Sequence, residues 1–379
     1  LRYAIGEEHE QVRQTARQFA ERELAPRAVE IDHEGRFPWE NVEALRKYGY
    51  LGMNLPEQFG GGGMDMLSHT LVVEEVSRVC ASTAVILGVH NVLFGETLSC
   101  WCRDPVRSQV MPGVATGAQL GAFALTEPQA GSDAGAVSTT AVRDGDEYVL
   151  NGRKTFITNA GIAHWYIVCA TMDRARGARG ITAFLVDKDQ PGLSFGKPED
   201  KMGIRGSQTA DVILEGVRVP VARRLGEEGE GFKLAMGALD HGRIGIAAQA
   251  LGIAQASLDA SIGYAKQRVQ FGKPIAELQA IQWMIAEMTA DVEAARLLTY
   301  RAAELAEQPG RHSAVFATAK LFASAAAVKH AANAVQIHGG YGYMREYKVE
   351  RFMRDAKITE IYEGTSEIMK LVIAQSALR

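Results

Sequence analysis

The sequence predicts an α+β protein of three domains: a helical one over residues 1–120, a β domain over 121–225 and a second helical one over 226–379. Its texture changes twice. Apolar residues recur at every third and fourth position in the first part, short apolar runs between turn-forming residues replace them in the middle, and the helical period then returns. At 379 residues, 47% hydrophobic and 23% charged, the chain can bury more than one core.

The helical reading of the first part rests on "EEHEQVRQTARQFAERELA" and "LVVEEVSRVCASTAVILGVHNVLFGETLS". The run Gly60 to Gly63 between them has neither a preceding strand nor a lysine, and it reads as a flexible turn. In the middle, "EYVLNGRKTFIT", "WYIVCAT", "ITAFLV" and "DVILEGVRVP" have the length and β-branched character of strands. After "GEEGEGF" come alanine-rich stretches such as "RHSAVFATAKLFASAAAVKHAANAVQIHGG", whose small residues suit closely packed helices in a bundle.

Several function classes fall away. A net charge of −4 gives no bulk attraction to nucleic acid. Cys80, Cys100, Cys102 and Cys169 form no C-x-x-C pair and read as structural thiols in a reducing compartment, and the nine histidines show no metal-ligand spacing, so no metal is expected. No run of 18 apolar residues suggests a membrane span, and the N-terminal stretch "LRYAIGEEHEQVRQTARQF" carries acids in a helical pattern, unlike a signal or transit peptide. The G-x-G-x-x-G and G-x-x-x-x-G-K-[ST] phosphate loops are missing, as is a serine-nucleophile elbow.

What remains is a set of polar, glycine-bearing loops spread over two domains. "AFALTEPQAGSD" follows a strand, "RKTFITNAG" ends another, "QRVQFGKPIAELQ" leaves a helix at Arg268, and "QIHGGYGYM" follows a helix with glycines that let backbone approach a neighbour. Loop chemistry alone favours ordinary turns here. "ITEIYEGTSEIMK" is more pointed: Glu363 lies between an aromatic ring and a glycine, just before the last helix, amid enough isoleucine, leucine and valine to bury one side. A buried glutamate needs a reason.

Six segments, "LTEPQAGSD", "NGRKTFITNAG", "DKMGIRGSQTADVILEGVRVP", "GRIGIAAQALGIAQASLDASIGYAKQRVQFGKPI", "QIHGGYGYM" and "ITEIYEGTSEI", resemble in order and spacing the motifs of the acyl-CoA dehydrogenase family, closest to its short-chain, butyryl-type members. The resemblance spans nearly the whole chain. It implies an N-terminal helical domain, a β-barrel-like middle domain and a C-terminal four-helix bundle, assembled as a homotetramer that binds FAD without a Rossmann motif. Phe123, Leu125, Thr126 and Ser132 would line the flavin on one side and Phe156, Ile157 and Thr158 on the other. Many relatives carry tyrosine at position 123 and tryptophan at 156, so these ring contacts are altered while staying aromatic. Arg268, Gln270, Phe271, Gln279, Gln336, Ile337, Gly339 and Gly340 would reach a neighbouring subunit's FAD, and Thr365 and Glu367 would meet the cofactor near the last helix. Ser132, Asp240, Arg243, Tyr362 and Gly364 would contact the acyl-CoA, although spacing alone makes Asp240 and Arg243 an ordinary pair on a helix surface.

By the same resemblance Glu363 would be the base that removes the α-proton of the thioester, with hydride passing to the flavin and electrons then to an electron-transfer flavoprotein. Burial should raise its pKa while the following helix N-terminus lowers it. Isovaleryl-type and long-chain relatives place the base one residue before the arginine corresponding to Arg243, and here that residue is Gly242. The implied location is the bacterial cytoplasm, or the mitochondrial matrix in a eukaryote. Rival readings fit less well: oxidases of the family are usually much longer, nitroalkane-oxidase-like members carry aspartate at the base position, and nucleic-acid-binding or scaffold relatives need a basic surface and no glutamate. The helix near "STAVILGVHNVLF" is expected to close the acyl pocket, with short or medium straight chains preferred.

Overall fold

A computed structural model describes residues 5–378, so the first four residues of the N-terminal stretch and Arg379 lie outside the described residues. Helix α1 (Glu7–Phe19) buries Ala16 and Phe19 and runs into a π-helical turn at Ala20–Leu24. Helices α2 (Ala28–Glu34) and α3 (Trp39–Lys47) follow, and then the glycine run. That run is not a loose turn. The N–H groups of Gly61, Gly62 and Gly63 donate to the carbonyls of Pro56, Gly52 and Leu55 at 3.2, 3.0 and 2.9 Å. A Cβ at Gly61 or Gly62 would run into the Leu55 or Met53 carbonyl, so these glycines permit close backbone approach instead of flexibility.

Helix α4 (Met66–Ser77) is buried along its whole length, with Asp65 capping it by accepting from the Ser68 N–H at 2.8 Å. The long helical stretch expected across this region is broken at Cys80, whose backbone is extended, before α5 (Ala81–Gly88). Helix α5 widens into a π-helical segment, Val89–Glu96, and tightens again into α6 (Thr97–Trp101). By length and composition Ala81–Trp101 is apolar enough to cross a membrane, yet most of it is buried inside this fold as a core helix. Helix α7 (Val106–Ala115) completes the first domain.

The middle of the chain is an eight-stranded sheet. Strands β1 (Gly121–Ala124), β2 (Thr140–Asp144), β3 (Glu147–Thr158), β4 (Trp165–Thr171), β5 (Ile181–Asp187), β6 (Leu193–Phe195), β7 (Thr209–Pro220) and β8 (Arg224–Leu225) run in the order β6-β7-β3-β2-β4-β5-β8, with β1 paired in parallel to β4. β2 meets β4 at the single pair Thr140↔Thr171, which joins the two halves of the sheet, and Tyr148 of β3 meets Phe184 of β5 at a ring distance of 4.9 Å. A buried ion pair fixes the loop after β1. Lys154 Nζ donates to Glu127 Oε1 at 2.8 Å and to the Leu125 carbonyl at 2.9 Å, and the Ser138 and Thr139 N–H groups bind the same carboxylate. Burial pushes Glu127 up, but Lys154 and these donors outweigh it and hold the carboxyl at about 2.

Helices α8 (Gly231–Gln267), α9 (Gln279–Ala306), α10 (Ser313–His338), α11 (Val349–Lys357) and α12 (Ser366–Ala377) form the C-terminal domain, with α10 packed against the other four. Buried alanines at 317, 319, 323, 327, 331 and 334 let α10 lie close to its neighbours. Helix α4 of the first domain packs on α8 and α9, and Glu74 joins them by accepting from Tyr300 Oη at 2.7 Å and from Arg296 at 3.3 Å.

Candidate active site

Between α11 and α12 the chain makes a tight turn through Tyr362, Glu363 and Gly364. Glu363 has φ +53 and Gly364 φ +104. The left-handed region is uncommon for a glutamate and costs on the order of 1–3 kcal/mol unless surrounding contacts impose it. Here they do. Arg243 Nε donates to the Glu363 carbonyl at 3.4 Å, Lys320 Nζ donates to the Gly364 carbonyl at 2.6 Å, and the Tyr362 hydroxyl donates to Gln249 Oε1. The Thr365 hydroxyl caps α12 by accepting from the Ile368 N–H at 3.4 Å. The φ of +104 at Gly364 is what calls for glycine there, since the nearest atom a Cβ would meet is the movable end of the Met369 side chain.

The turn delivers the Glu363 side chain to a narrow cavity of about 10 Å³. Val73 of α4, Ala84, Val85 and Gly88 of α5, Val89 and Val92 of the π-helical segment, and Gly242, Gly245, Ile246 and Gln249 of α8 form its walls. Apart from Glu363 and Gln249 the lining is apolar. The π-helical segment is anchored outside the cavity, where Asn91 accepts from the Gly52 N–H at 2.8 Å and donates to the Tyr50 carbonyl at 2.9 Å. Gln249 is pinned in the wall, accepting from Tyr362 and donating to the Ala81 carbonyl at 3.0 Å, so it does not swing aside freely.

Glu363 as a residue is half-buried, but its Oε2 is shut off from solvent and has no hydrogen-bond partner. Burial raises the carboxyl to about 7, with the Lys320 and then the Arg243 charge pulling the other way. Gly242 makes the room: a Cβ there would run into Glu363 Oε2 and lie 2.8 Å from Leu93 Cδ2.

The expected site residues fall into groups. Tyr362, Glu363, Gly364, Asp240 and Arg243 come together, with Arg243 bonded to Asp240 and Asp240 to Ser313. Arg243 is only 6% exposed, which corrects the reading of a helix-surface pair: α8 turns this arginine inward beneath the turn. Phe123 and Leu125 are buried at the end of β1, and the Thr155 N–H donates to the Thr126 carbonyl at 2.9 Å, which sets Thr126 beside the segment of Phe156, Ile157 and Thr158. Ser132 is exposed on the same loop. Phe156 is left with φ +57 and 67% of its surface exposed. Arg268, Gln270, Phe271, Ile337, Gly339 and Gly340 line a separate groove of about 580 Å³ that shares no lining residue with the cavity; Gln279 and Gln336 are exposed but do not line it. Thr365 is committed to its cap, and Glu367 lies exposed in the first turn of α12.

Three segments match descriptions of one family: residues 6–118 its N-terminal domain, 122–217 its middle domain and 229–378 its C-terminal domain. The chain belongs to the acyl-CoA dehydrogenase family. It is 50% identical over 376 residues to the human protein "Short-chain specific acyl-CoA dehydrogenase, mitochondrial", covering 99% of this chain and 91% of that one. Butyryl-CoA dehydrogenase from Megasphaera elsdenii matches with a TM-score of 0.97 at 44% identity, each chain covered in full. A chain in the structure described as an electron transferring flavoprotein of Acidaminococcus fermentans matches with a TM-score of 0.98 at 44% identity, again in full.

Within this acyl-CoA dehydrogenase fold, sequence reasoning passed over Lys320, Gln249 and the Glu127–Lys154 pair. Lys320 had a visible signal, a cation inside the alanine-rich run "FATAKLFASAAA". The elevated Glu363 carboxyl has a stability consequence. Unfolded, it titrates near its ordinary 4.5; folded, at about 7, so between these values the native state holds the extra proton. The contribution is complete below pH 4.5 and is lost as pH rises through 7. Glu363→Gln removes that dependence. Unfolding free energies are expected to match the wild type at the acid end and to exceed it above pH 7 by on the order of 3 kcal/mol. A constant difference across pH would show that the carboxyl is not desolvated.

Proposed function

We propose that this chain is a short-chain acyl-CoA dehydrogenase: it oxidises a short acyl-CoA thioester to the trans-2-enoyl thioester, with FAD as acceptor and an electron-transferring flavoprotein as the next carrier. The observation that carries this reading is the buried Glu363 Oε2, without a hydrogen-bond partner, on an apolar cavity. The short-chain relative and the butyryl-CoA dehydrogenase structure support the substrate class, and the Acidaminococcus fermentans structure supports the carrier.

The residues present fit FAD. Phe156 shows an exposed ring on a left-handed backbone beside Thr126, an arrangement that suits a flat ligand better than solvent. Phe123, Leu125, Thr126 and Ser132 on one loop, and Phe156, Ile157 and Thr158 on the next strand, would hold its ring system, with Thr365 and Glu367 close to α12. When bound, FAD supplies the two-electron acceptor for the hydrogen leaving the β-carbon. Glu363 takes the α-proton as general base, a role for which a carboxyl near neutrality is well matched. The Glu363 N–H donates to the thioester carbonyl, stabilising the charge that builds there. Ser132, Asp240, Arg243, Tyr362 and Gly364 are assigned to the acyl-CoA, and the pinned Gln249 limits the length of acyl chain the cavity accepts.

Rapid mixing with butyryl-CoA tests the base directly. Glu363→Gln should bind FAD and substrate, since the amide is nearly isosteric, while bleaching of the flavin slows by ~10² to 10⁴ or more. Reduction at nearly the wild-type rate would mean that another group takes the proton.

The second groove carries the assembly. Arg268 lies 5.3 Å over the Tyr341 ring, Phe271 is 91% exposed at φ +52, and Tyr343 is 81% exposed. Exposed aromatics around a mainly apolar groove that carries one cation, Arg268, suit contact with the FAD of a second copy, with Gln270, Gln279, Gln336, Ile337, Gly339 and Gly340 alongside. Sedimentation is expected to give a homotetramer, with Arg268→Glu lowering FAD content and association together. A monomer with full FAD occupancy would contradict the shared site.

A further inference from the structure

Lys320 lies within α10 with no exposed surface. A fully buried lysine is rare, because removing an ammonium from water is costly unless something compensates. Its Nζ donates to the Gly364 carbonyl at 2.6 Å, across 44 residues of sequence. On the preceding residue Arg243 Nε donates to the Glu363 carbonyl at 3.4 Å. Two successive carbonyls of the left-handed turn are thus each held by a buried cation. Among the described residues neither cation forms an ion pair with the Glu363 carboxyl, so that side chain stays available to the cavity.

A carbonyl needs only a donor, and a neutral side chain would serve it at lower desolvation cost. The presence of a full charge points to the neighbouring carboxyl. Glu363, Glu360 of the turn after α11 and Glu367 of α12 face Lys320 with negative charge, against the positive charge of Arg243 on α8. Asp240, on the same face of α8, is bonded to Arg243, and the Tyr362 phenol lies within the field of Glu363. Burial brings Lys320 down to about 8, which leaves it mainly cationic at neutral pH.

We propose that Lys320 is a positioning residue for the dehydrogenation: through the Gly364 carbonyl its ammonium fixes the turn that directs Glu363 into the cavity, and it supplies the positive field in which that carboxyl ionises. The proposal rests on Glu363 being the base. Lys320 acts without touching substrate, first by geometry, because a base displaced by an ångström loses alignment with the reacting carbon, and second by charge, because its field favours the carboxylate.

The test uses the FAD-bound enzyme and the pH dependence of flavin bleaching by butyryl-CoA. Lys320→Met removes the charge and the donor at similar volume; Lys320→Arg keeps both. FAD content and melting temperature report folding. In the wild type the acid limb is expected to have its half-point at about 7. In Lys320→Met it should move upward by about one pH unit, with the plateau rate lower by about 10²-fold and KM little changed. Lys320→Arg should return the half-point to the wild-type value. A folded Lys320→Met enzyme with wild-type half-point and plateau overturns the proposal. If the Met variant does not fold, Lys320→Arg decides: retention of the wild-type half-point supports the role and an upward shift overturns it. Glu363→Gln run alongside separates the two readings. Fast reduction in that variant removes the base assignment itself, whereas slow reduction with an unaffected Lys320→Met removes only the role of Lys320.

Discussion

An ionisable carboxyl without a hydrogen-bond partner costs several kcal/mol to bury in its charged form, and the structure around Glu363 meets that cost by field instead of contact. Direct pairing with Lys320 or Arg243 would make the carboxylate comfortable and a poor base. Both cations hold backbone carbonyls of the same turn, so their charge is felt while the carboxyl remains unpaired. Gly242 completes the arrangement by leaving the space that Oε2 fills. The resulting balance, burial against two nearby cations, leaves the group near neutrality, which suits the role of base proposed for it.

That balance needs walls that do not move. The cavity is shared by the first domain, through α4, α5 and the π-helical segment, and by α8 of the last. Its two sides are tied by buried polar contacts, Gln249 to the Ala81 carbonyl and Glu74 to Tyr300 and Arg296. Burial pushes Glu74 up, and Arg296 and Tyr300 draw it back, so the junction is costly to open and keeps the domains in register. In the β domain the Glu127–Lys154 pair does the same for the loops that flank Phe156, with both side chains fully buried. None of these contacts engages the Glu363 carboxyl or the Phe156 ring.

Much of this was legible in the sequence because it is local. Strand runs such as "WYIVCAT", the alanine-rich helices and the Glu363 motif carry their signals within a dozen residues. What was not legible depends on pairs far apart in the chain. Lys320 meets Gly364 across 44 residues and Tyr362 meets Gln249 across 113, and no periodicity encodes such contacts. Arg243 looked like half of a surface pair because spacing of three residues says nothing about which face of α8 is covered. The glycine run looked flexible because composition records permissiveness, whereas the carbonyls of Met53 and Leu55 that press against it come from the preceding turn.

The central claim is that burial, set against the charges of Lys320 and Arg243, holds the Glu363 carboxyl near neutrality. Infrared difference spectroscopy of the enzyme, titrated with and without the Glu363→Gln substitution, observes the group itself. A protonated-carboxyl band absent from the variant and lost with a midpoint at about 7 is the result expected. A midpoint at the ordinary 4.5 would contradict the account, because it would place the Glu363 carboxyl in contact with water.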